Sequence, residues 1–205
     1  YEYIRFLTKK LNHRLQIDCV VEGMERIPSH NNLIFLPNHQ SLYDTVLLYS
    51  QVPHQLRFIA KKEVMKMPII GSIAALTETI ILDREDARSA LKTLKLATEE
   101  LIKDRNLLVF LEGTRSKDPN RKLGTFKNGG IRPAYKAKST LVPVVLDPSW
   151  EIFHKNVRRK RYSVKLVFLQ PIPYEGYCDM SYAELAQHLQ NIIGNQLTKM
   201  REEAA

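Results

Sequence analysis

Several classes of protein are excluded by what this sequence lacks. Cysteine occurs only twice, as Cys19 and Cys178, which lie far apart and outside any metal-binding spacing. A disulfide framework is therefore not expected, and so few cysteines are typical of a reducing compartment. Internal repeats and low-complexity tracts are also absent. The 205 residues, 44% of them hydrophobic, predict one globular domain with a sizeable core.

A long hydrophobic run is missing too. No apolar stretch approaches the ~18 residues that cross a bilayer, and no signal peptide is recognisable. Residues 1–15 instead predict a short amphipathic helix with Ile4, Leu7 and Leu11 on one side. Basic residues lie between or beside them, namely Arg5, Lys9, Lys10 and Arg14. Such a helix lies either on an anionic membrane or on the protein's own core. The sequence also leaves open that it is the end of a truncated membrane anchor.

Acidic residues are outnumbered. The 31 lysines and arginines exceed the 22 aspartates and glutamates, which gives a formal net charge of +9. This excess favours an anionic partner, which could be nucleic acid, an anionic membrane surface or a phosphorylated substrate. A nucleic-acid-binding domain would need aromatic residues interleaved with lysines, or a recognisable binding fold. The sequence has neither, so no nucleic acid partner is expected.

A second apolar segment, Met65–Leu76, could also reach a lipid surface. It is too short to span a bilayer and lacks the clean polar face of a surface helix. Its two methionines would adapt to irregular apolar partners such as acyl chains. The segment is therefore either core or an interfacial surface.

The sequence contains no G-x-S-x-G, so a serine in a nucleophile elbow is not expected. It does contain Asn38-His39 directly after the apolar run Leu33–Leu36, with Asp44 five residues after His39. The pattern predicts a strand, a polar turn and a helix, and the two side chains meet only if His39 precedes the helix. A carboxylate on one imidazole nitrogen leaves the other free to take a proton. Such a pair suits an enzyme that deprotonates a hydroxyl of its substrate. Alternatively, Ser41-x-x-Asp44 is a capping box and His39 an ordinary loop residue.

Strands alternate with helices from residue 31 to residue 146, which predicts an α/β fold with a mixed, largely parallel sheet flanked by helices. In such a sheet, polar residues that follow the strands gather at one edge. Three clusters are placed there: Asn38-His39, Asp83-Arg84 and Glu112-Gly113-Thr114-Arg115. In the last cluster the glycine allows close backbone approach, the threonine offers a hydroxyl and the arginine offers a planar fork for a phosphate.

These motifs give the sequence a family resemblance. Asn38-His39-x4-Asp44, Phe110–Ser116 and Val142-Pro143-Val144 occur in the order typical of the 1-acyl-sn-glycerol-3-phosphate acyltransferase (lysophosphatidic acid acyltransferase) family of glycerolipid acyltransferases, which the chain resembles over about residues 20–146. Two departures are visible. The block Glu78–Arg84 keeps the family's arginine but loses its glycine and aromatic residue, and Leu111 replaces the usual proline.

The resemblance implies that residues 16–205 are an acyltransferase domain with a glycerolipid acyltransferase-like fold. It implies transfer of a fatty acyl group from an acyl thioester to the sn-2 hydroxyl of lysophosphatidic acid, which gives phosphatidic acid for phospholipid synthesis. His39, oriented by Asp44, would be the general base. The phosphate would be held by Gly113, Thr114 and Arg115, helped by Lys61 and Arg84, whereas Glu112 would brace the loop or contact the glycerol.

The resemblance also implies partners. No metal or cofactor is expected, and acyl-CoA or the acyl form of acyl carrier protein would be the donor. The expected location is peripheral or monotopic, on an anionic membrane surface at the cytoplasmic face. Two alternatives stay open: an acyltransferase that acts on another lysophospholipid, and a non-catalytic protein that binds anionic lipid. The second would keep Arg115 without needing His39 and Asp44 together.

Overall fold

A computed structural model describes residues 1–67, 70–82, 87–116, 118, 120, 122–154, 157 and 159–204. The α-helices are α1 (Glu2–Arg14), α2 (Asp44–Gln51), α3 (Ile70–Leu76), α4 (Ala87–Ile102), α5 (Arg132–Ala137) and α6 (Tyr182–Glu203). The strands are β1 (Ile17–Glu22), β2 (Leu33–Pro37), β3 (Leu56–Lys61), β4 (Ile80–Leu82), β5 (Asn106–Leu108), β6 (Thr140–Asp147) and β7 (Tyr162–Phe168).

The strands form one seven-stranded sheet in the order β1-β7-β6-β2-β5-β3-β4. Within the described residues, β6 and β7 are the only antiparallel neighbours, and the other five pairs are parallel. The predicted mixed, largely parallel sheet is thus confirmed. In its register, Ile34 of β2 lies between Leu107 of β5 and Leu141 of β6.

The central strand β2 explains how helices come to cover both faces. Every residue of β2 is buried, as expected for a continuous apolar run in a parallel sheet. Successive side chains point to opposite faces. Leu33 and Phe35 therefore join the core under α1, α2 and α3. Ile34 and Leu36 join a second core under α4, α5 and α6.

The helix α1 corrects one prediction. Its buried residues are Ile4, Thr8 and Asn12, whereas Leu7 of the predicted apolar stripe is exposed. Polar side chains can be buried here because they are paired. The Thr8 hydroxyl donates to the Ile4 carbonyl, and Asn12 bonds to side chains of α2 and of the turn before it. The helix is docked on α2, so the core alternative is correct for this face.

The Met65–Leu76 segment divides in the same way. Gly71, Ile73 and Ala74 are buried, whereas Met65 and Leu76 are exposed. Pro68 and Ile69 lie outside the described residues. The segment is therefore core on one side and surface on the other. A search of the described residues finds no helix with the length and hydropathy needed to cross a membrane.

Candidate active site

The candidate site lies where the parallel strands end. The turn of residues 38–41, called here the His39 turn, follows β2, Lys61 ends β3, and the loop from Glu112 to Arg115 follows β5. Two of the three predicted clusters therefore converge at the same edge of the sheet. The third, Asp83-Arg84, lies outside the described residues, so the expected role of Arg84 stays a prediction.

His39 and Asp44 are in contact, as their spacing predicts. The imidazole Nδ1 lies 2.9 Å from Oδ2 of Asp44, whose side chain is completely buried. The same oxygen accepts hydrogen bonds from the backbone N–H groups of Gln40 and Ser41 at 2.8 and 2.9 Å. An ionised carboxylate has no proton to donate, so the imidazole is the donor in this contact and Nδ1 carries the proton. The Nε2 nitrogen is therefore the one able to take a proton from a ligand.

The capping-box alternative is present only in part. The Asp44 carboxylate accepts from the Ser41 backbone, which is one half of such a box. The other half is missing, since the Ser41 hydroxyl accepts from the Tyr43 N–H rather than from that of Asp44. The helix α2 begins at Asp44 itself. The same carboxylate oxygen thus ties the turn together and orients His39.

Phe110 supports the imidazole from one side. The two rings are stacked with their centroids 3.9 Å apart and their planes 24° apart. The His39 carbonyl also accepts from the Ser116 N–H, which fixes the backbone of the turn. From the sequence, Phe110 was identified only as part of the motif Phe110–Ser116. Its place, two residues beyond the buried strand β5, was the available signal for a side chain at this edge.

Glu112 is buried in the wall of the site. Its Oε1 accepts from the His39 N–H at 2.7 Å, and its Oε2 accepts from the Gly124 N–H at 2.8 Å. Burial raises the pKa of Glu112 above its ordinary value, and the two backbone donors act in the opposite direction. A Cβ on Gly124 would lie 2.7 Å from Oε2, so a larger residue would press on the carboxylate. Of the two predicted roles, bracing the loop is the one that this geometry supports.

Basic and apolar groups share the cavity beside His39. Its volume is about 330 Å³, and its polar lining includes Lys61, Thr114 and Arg115. Apolar walls come from Leu42, Phe58, Ala60, Val64, Met67 and Ile70. Gly113 reaches this cavity with a φ of 68°, a left-handed conformation that favours glycine.

Arg115 is available to a ligand. Its side chain is exposed, and it has no hydrogen bond or ion pair with any of the residues described. It also lines two adjoining cavities of about 430 and 260 Å³. Ile152 and Phe153, in the loop after β6, form part of the walls of both. These wall residues were missed because nothing in residues 147–205 matches a family motif.

Two further groups were missed. Asp147, at the end of β6, accepts from the Gln40 side chain beside His39, and Arg201 of α6 pairs with the same carboxylate. These residues are far apart in sequence and carry no local pattern. In the part of the chain that the structure describes, no group of three or more His, Cys, Asp or Glu side chains could hold a metal ion.

Comparisons with known proteins show the family to which the chain belongs. A family model described as Acyltransferase matches residues 18–147. The 1-acyl-sn-glycerol-3-phosphate acyltransferase of Helicobacter pylori is 34% identical over 172 residues, which cover 82% of this chain and 72% of that protein. The enzyme of the same name from Escherichia coli is 29% identical, with 86% and 71% covered. A chloroplastic Arabidopsis thaliana acyltransferase is 37% identical over 62% of this chain, which spans only 35% of that longer protein.

A solved structure is similar as well. The crystal structure of the 1-acyl-sn-glycerophosphate (LPA) acyltransferase PlsC from Thermotoga maritima superposes with a TM-score of 0.82 and 28% identity. The match covers 98% of this chain and 79% of that one, so it includes residues beyond the segment that the family model matches.

Proposed function

This chain belongs to the 1-acyl-sn-glycerol-3-phosphate acyltransferase family, and we propose that it transfers a fatty acyl group from an acyl thioester to the sn-2 hydroxyl of lysophosphatidic acid. The product is phosphatidic acid. The observation that carries this proposal is the contact between His39 and the buried Asp44, beside a cavity lined by His39 and by Arg115, which pairs with none of the residues that the structure describes. A base and a phosphate-binding cation in one cavity suit an acceptor with both a hydroxyl and a phosphate.

The reaction needs one proton acceptor. Nε2 of His39 takes the proton of the sn-2 hydroxyl as the oxygen attacks the thioester carbonyl carbon. The buried Asp44 carboxylate stabilises the imidazolium that forms. The tetrahedral intermediate then collapses, the carbon–sulfur bond breaks, and the leaving thiolate takes the proton from His39. No acyl group is attached to the protein at any stage.

The charges around the cavity support a phosphorylated acceptor. Arg115 offers two parallel N–H groups to a phosphate, and Lys61 adds a second positive charge at the same cavity, so the basic residues exceed Glu63, the acidic residue of that lining. Thr114 offers a hydroxyl, and Gly113 permits close backbone approach. Arg84, which lies outside the described residues, remains a proposed third cation. Glu112 acts on the acceptor only indirectly, through the His39 turn that it braces.

The donor delivers its acyl group as a thioester. Coenzyme A and acyl carrier protein both present that group at the end of the same type of arm, so the chemistry at His39 is identical for either donor. We propose one of these two as donor and no resident cofactor. The choice between them depends on surfaces outside the cavity and is decided by assay.

The acceptor is a membrane lipid, so the enzyme works at a membrane surface. The outward face of α1 supports peripheral attachment, because it exposes Tyr3, Phe6 and Leu7 together with Lys9 and Lys10. The ammonium group of Lys10 lies 4.5 Å from the centre of the Phe6 ring. Aromatic and basic side chains on one face are typical of helices that lie in an anionic interface. We propose that this is the cytoplasmic face of the membrane.

The proposal is tested with purified protein and a panel of acceptors. Lysophosphatidic acid, lysophosphatidylethanolamine, lysophosphatidylcholine and monoacylglycerol are each supplied with acyl-CoA and, separately, with acyl carrier protein carrying the same acyl chain. We expect diacyl product chiefly from lysophosphatidic acid with at least one donor. Preference for another lysophospholipid would reassign the acceptor. Lipid binding without product from any pair would support a non-catalytic protein.

A further inference from the structure

We infer that the C-terminal helix α6 positions the His39 turn through a chain of three side chains, Arg201, Asp147 and Gln40. The inference rests on the proposed function, since it concerns the efficiency of the same reaction. The family model ends at residue 147. The helix that supplies Arg201 therefore lies outside the segment in which the motifs occur.

The first link joins α6 to the end of β6. Arg201 presents NH2 and Nε to the two oxygens of the Asp147 carboxylate, at 3.0 and 3.3 Å. A two-point pairing of this kind fixes orientation as well as distance. The Asp147 side chain is 12% exposed and that of Arg201 is 32% exposed, so the pair is partly shielded from solvent. Pairs that solvent screens less are stronger than fully exposed ones.

The second link joins Asp147 to the His39 turn. The Gln40 side chain amide donates to Oδ1 of Asp147 at 2.8 Å, and the Gln40 backbone N–H donates to Oδ2 of Asp44 at 2.8 Å. Gln40 is buried and follows His39 directly in the chain. It is therefore held at both ends, by the residue that orients His39 and by the residue that Arg201 fixes.

The other neighbour of His39 is held by the same strand. Asn38 makes two hydrogen bonds with the backbone of Leu146, one in each direction, at 3.0 and 2.8 Å. The end of β6 thus fixes the residues on both sides of His39. Leu146 holds Asn38 through its own backbone, whereas Asp147 depends on Arg201 to fix the position of its carboxylate.

Arg201 also makes a hydrogen bond outside this chain of three side chains. Its NH1 donates to the carbonyl of Asn120 at 3.2 Å, in the loop that continues from Arg115. Without Arg201, the only hydrogen-bond partner left to the Asp147 carboxylate among the described residues is the Gln40 amide. A carboxylate with one neutral partner turns toward water. The Gln40 side chain then loses its short hydrogen bond to Asp147 and keeps only the longer one, 3.4 Å, from the Ser149 hydroxyl, so the His39 turn gains freedom.

The test compares Arg201→Ala with Lys199→Ala, a matched change on the same helix. The Lys199 side chain is 67% exposed and its ammonium lies 3.9 Å from the Glu203 carboxylate, and two helical positions turn it about 200° away from Arg201. We expect Arg201→Ala to lower kcat about 10-fold, less than the ~10²-fold loss that a 1 Å misplacement of reacting groups causes. KM for both substrates should change by less than about twofold, because the cavity lining is intact. Lys199→Ala should match the wild type in both.

A double variant shows whether Arg201 acts on the His39 turn through Gln40. If Arg201 acts through Gln40, the double variant Arg201→Ala/Gln40→Ala has the kcat of Gln40→Ala alone, since residues in one network are not additive. Arg201→Lys keeps the charge but loses the two-point pairing, so its kcat should be intermediate. If Arg201→Ala does not fold, Arg201→Lys takes its place in the comparison with the wild type.

Three results would overturn the inference: an unchanged kcat in folded Arg201→Ala, a raised KM with unchanged kcat, or independent effects in the double variant. Failure of the proposed function is distinguishable from these. In that case the wild type itself forms no phosphatidic acid under any of the conditions.

Discussion

At the scale of single residues, the two oxygens of the Asp44 carboxylate differ in their hydrogen-bond partners. Oδ2 takes part in three contacts, with the His39 ring and with two backbone N–H groups. Oδ1 is buried and has no hydrogen-bond partner among the residues that the structure describes. An asparagine at this position can place its carbonyl oxygen at the site of Oδ2 and keep all three contacts. It removes the negative charge and places an NH2 donor at the buried Oδ1 position, so folding of the variant has to be measured beside its turnover to separate charge from turn geometry.

Arg115 gives the first prediction. Arg115→Lys keeps the positive charge but loses the planar fork that matches a phosphate. We expect kcat/KM for lysophosphatidic acid to fall by roughly 1 to 3 kcal/mol of transition-state stabilisation, the value of a hydrogen bond to a charged group. Steady-state kinetics with lysophosphatidic acid and with uncharged monoacylglycerol measure the difference.

Two controls accompany Arg115→Lys. The monoacylglycerol rate should barely change, because that acceptor carries no phosphate. Arg132→Lys makes the same substitution at an exposed arginine that stacks over Tyr182, away from the His39 cavity, and should leave both rates unchanged. Equal losses on both acceptors in Arg115→Lys would mean that the arginine maintains the fold of the loop instead of binding phosphate.

Glu112 gives a prediction about pH. Burial raises its pKa above the ordinary value of 4.5. The stability that this carboxyl contributes is therefore full below the unfolded pKa and is lost as the pH rises through the higher folded pKa. Glu112→Gln removes that dependence. Relative to the wild type, the unfolding free energy of the variant should rise as the pH increases from about 4.5 upward, as measured by urea denaturation at several pH values.

The amide of Glu112→Gln can accept from only one of the two backbone donors, so a pH-independent loss of about 1 kcal/mol accompanies the change. Glu175→Gln, at an exposed carboxylate, is the matched control and should show neither effect. If the difference between Glu112→Gln and the wild type were flat or fell with pH, burial would not be the dominant influence on the Glu112 pKa, and the two backbone donors would outweigh it.

What the sequence could predict at this scale depended on local spacing. His39 and Asp44 are five residues apart across a strand-to-helix junction, and that spacing was enough to predict their contact. The orientation of Glu112 was not predictable, because a carboxylate beside a glycine can face either a ligand or the backbone. Burial and the position of Gly124, twelve residues later, decide between them.

At the scale of elements, α1 has two different faces. Ile4, Thr8 and Asn12 pack inward, and Tyr3 and Phe6 project outward. Hydropathy could not separate these faces, because the buried face contains polar residues and the exposed face contains aromatic ones. The Asn12 side chain is satisfied by Ser50 and Tyr43, which are distant in sequence. The strands were easier to predict from the sequence than the faces of α1, since a short apolar run between turn residues predicts a buried strand without tertiary information.

The outward face of α1 gives the third prediction. Phe6→Asp should weaken sedimentation with vesicles that contain anionic lipid. It replaces an exposed aromatic side chain with a carboxylate, which carries the same negative charge as the lipid. Lys9→Ala/Lys10→Ala should also weaken it, because each basic residue near an anionic surface contributes about 1 kcal/mol. Binding of the wild type should be weaker to neutral vesicles and should fall as salt screens the exposed charges.

Ile102→Asp is the control for Phe6→Asp. Ile102 is exposed at the end of α4 and lies outside the α1 face, so its substitution should not change sedimentation. Ile4→Asp is not a test of binding, because Ile4 is buried and the change would destabilise the core. Ile69, in the apolar segment Met65–Leu76, lies outside the described residues. Equal sedimentation of the wild type, Phe6→Asp and the double lysine variant would mean that α1 has no membrane contact.

At the scale of the whole molecule, the C-terminal quarter completes a site whose motifs lie elsewhere. The loop after β6 lines two of the cavities that meet at Arg115, and α6 reaches the His39 turn through Arg201. The sequence contained no signal for either contribution, because Ile152 lies 37 positions after Arg115 and Arg201 lies 54 positions after Asp147. The sheet order that brings them together follows from the packing of all seven strands.

The central claim is that Asp44 orients and electrostatically supports His39 as the base that activates the acceptor hydroxyl. The most direct measurement is kcat for phosphatidic acid formation in the wild type, Asp44→Asn and the exposed control Asp104→Asn, with thermal unfolding of each. We predict a loss on the order of 10² to 10⁴ for Asp44→Asn, typical of a positioned base, with no loss for Asp104→Asn. Near-normal turnover by a folded Asp44→Asn variant would contradict the account, because the turn would then need the oxygen of residue 44 but not its charge.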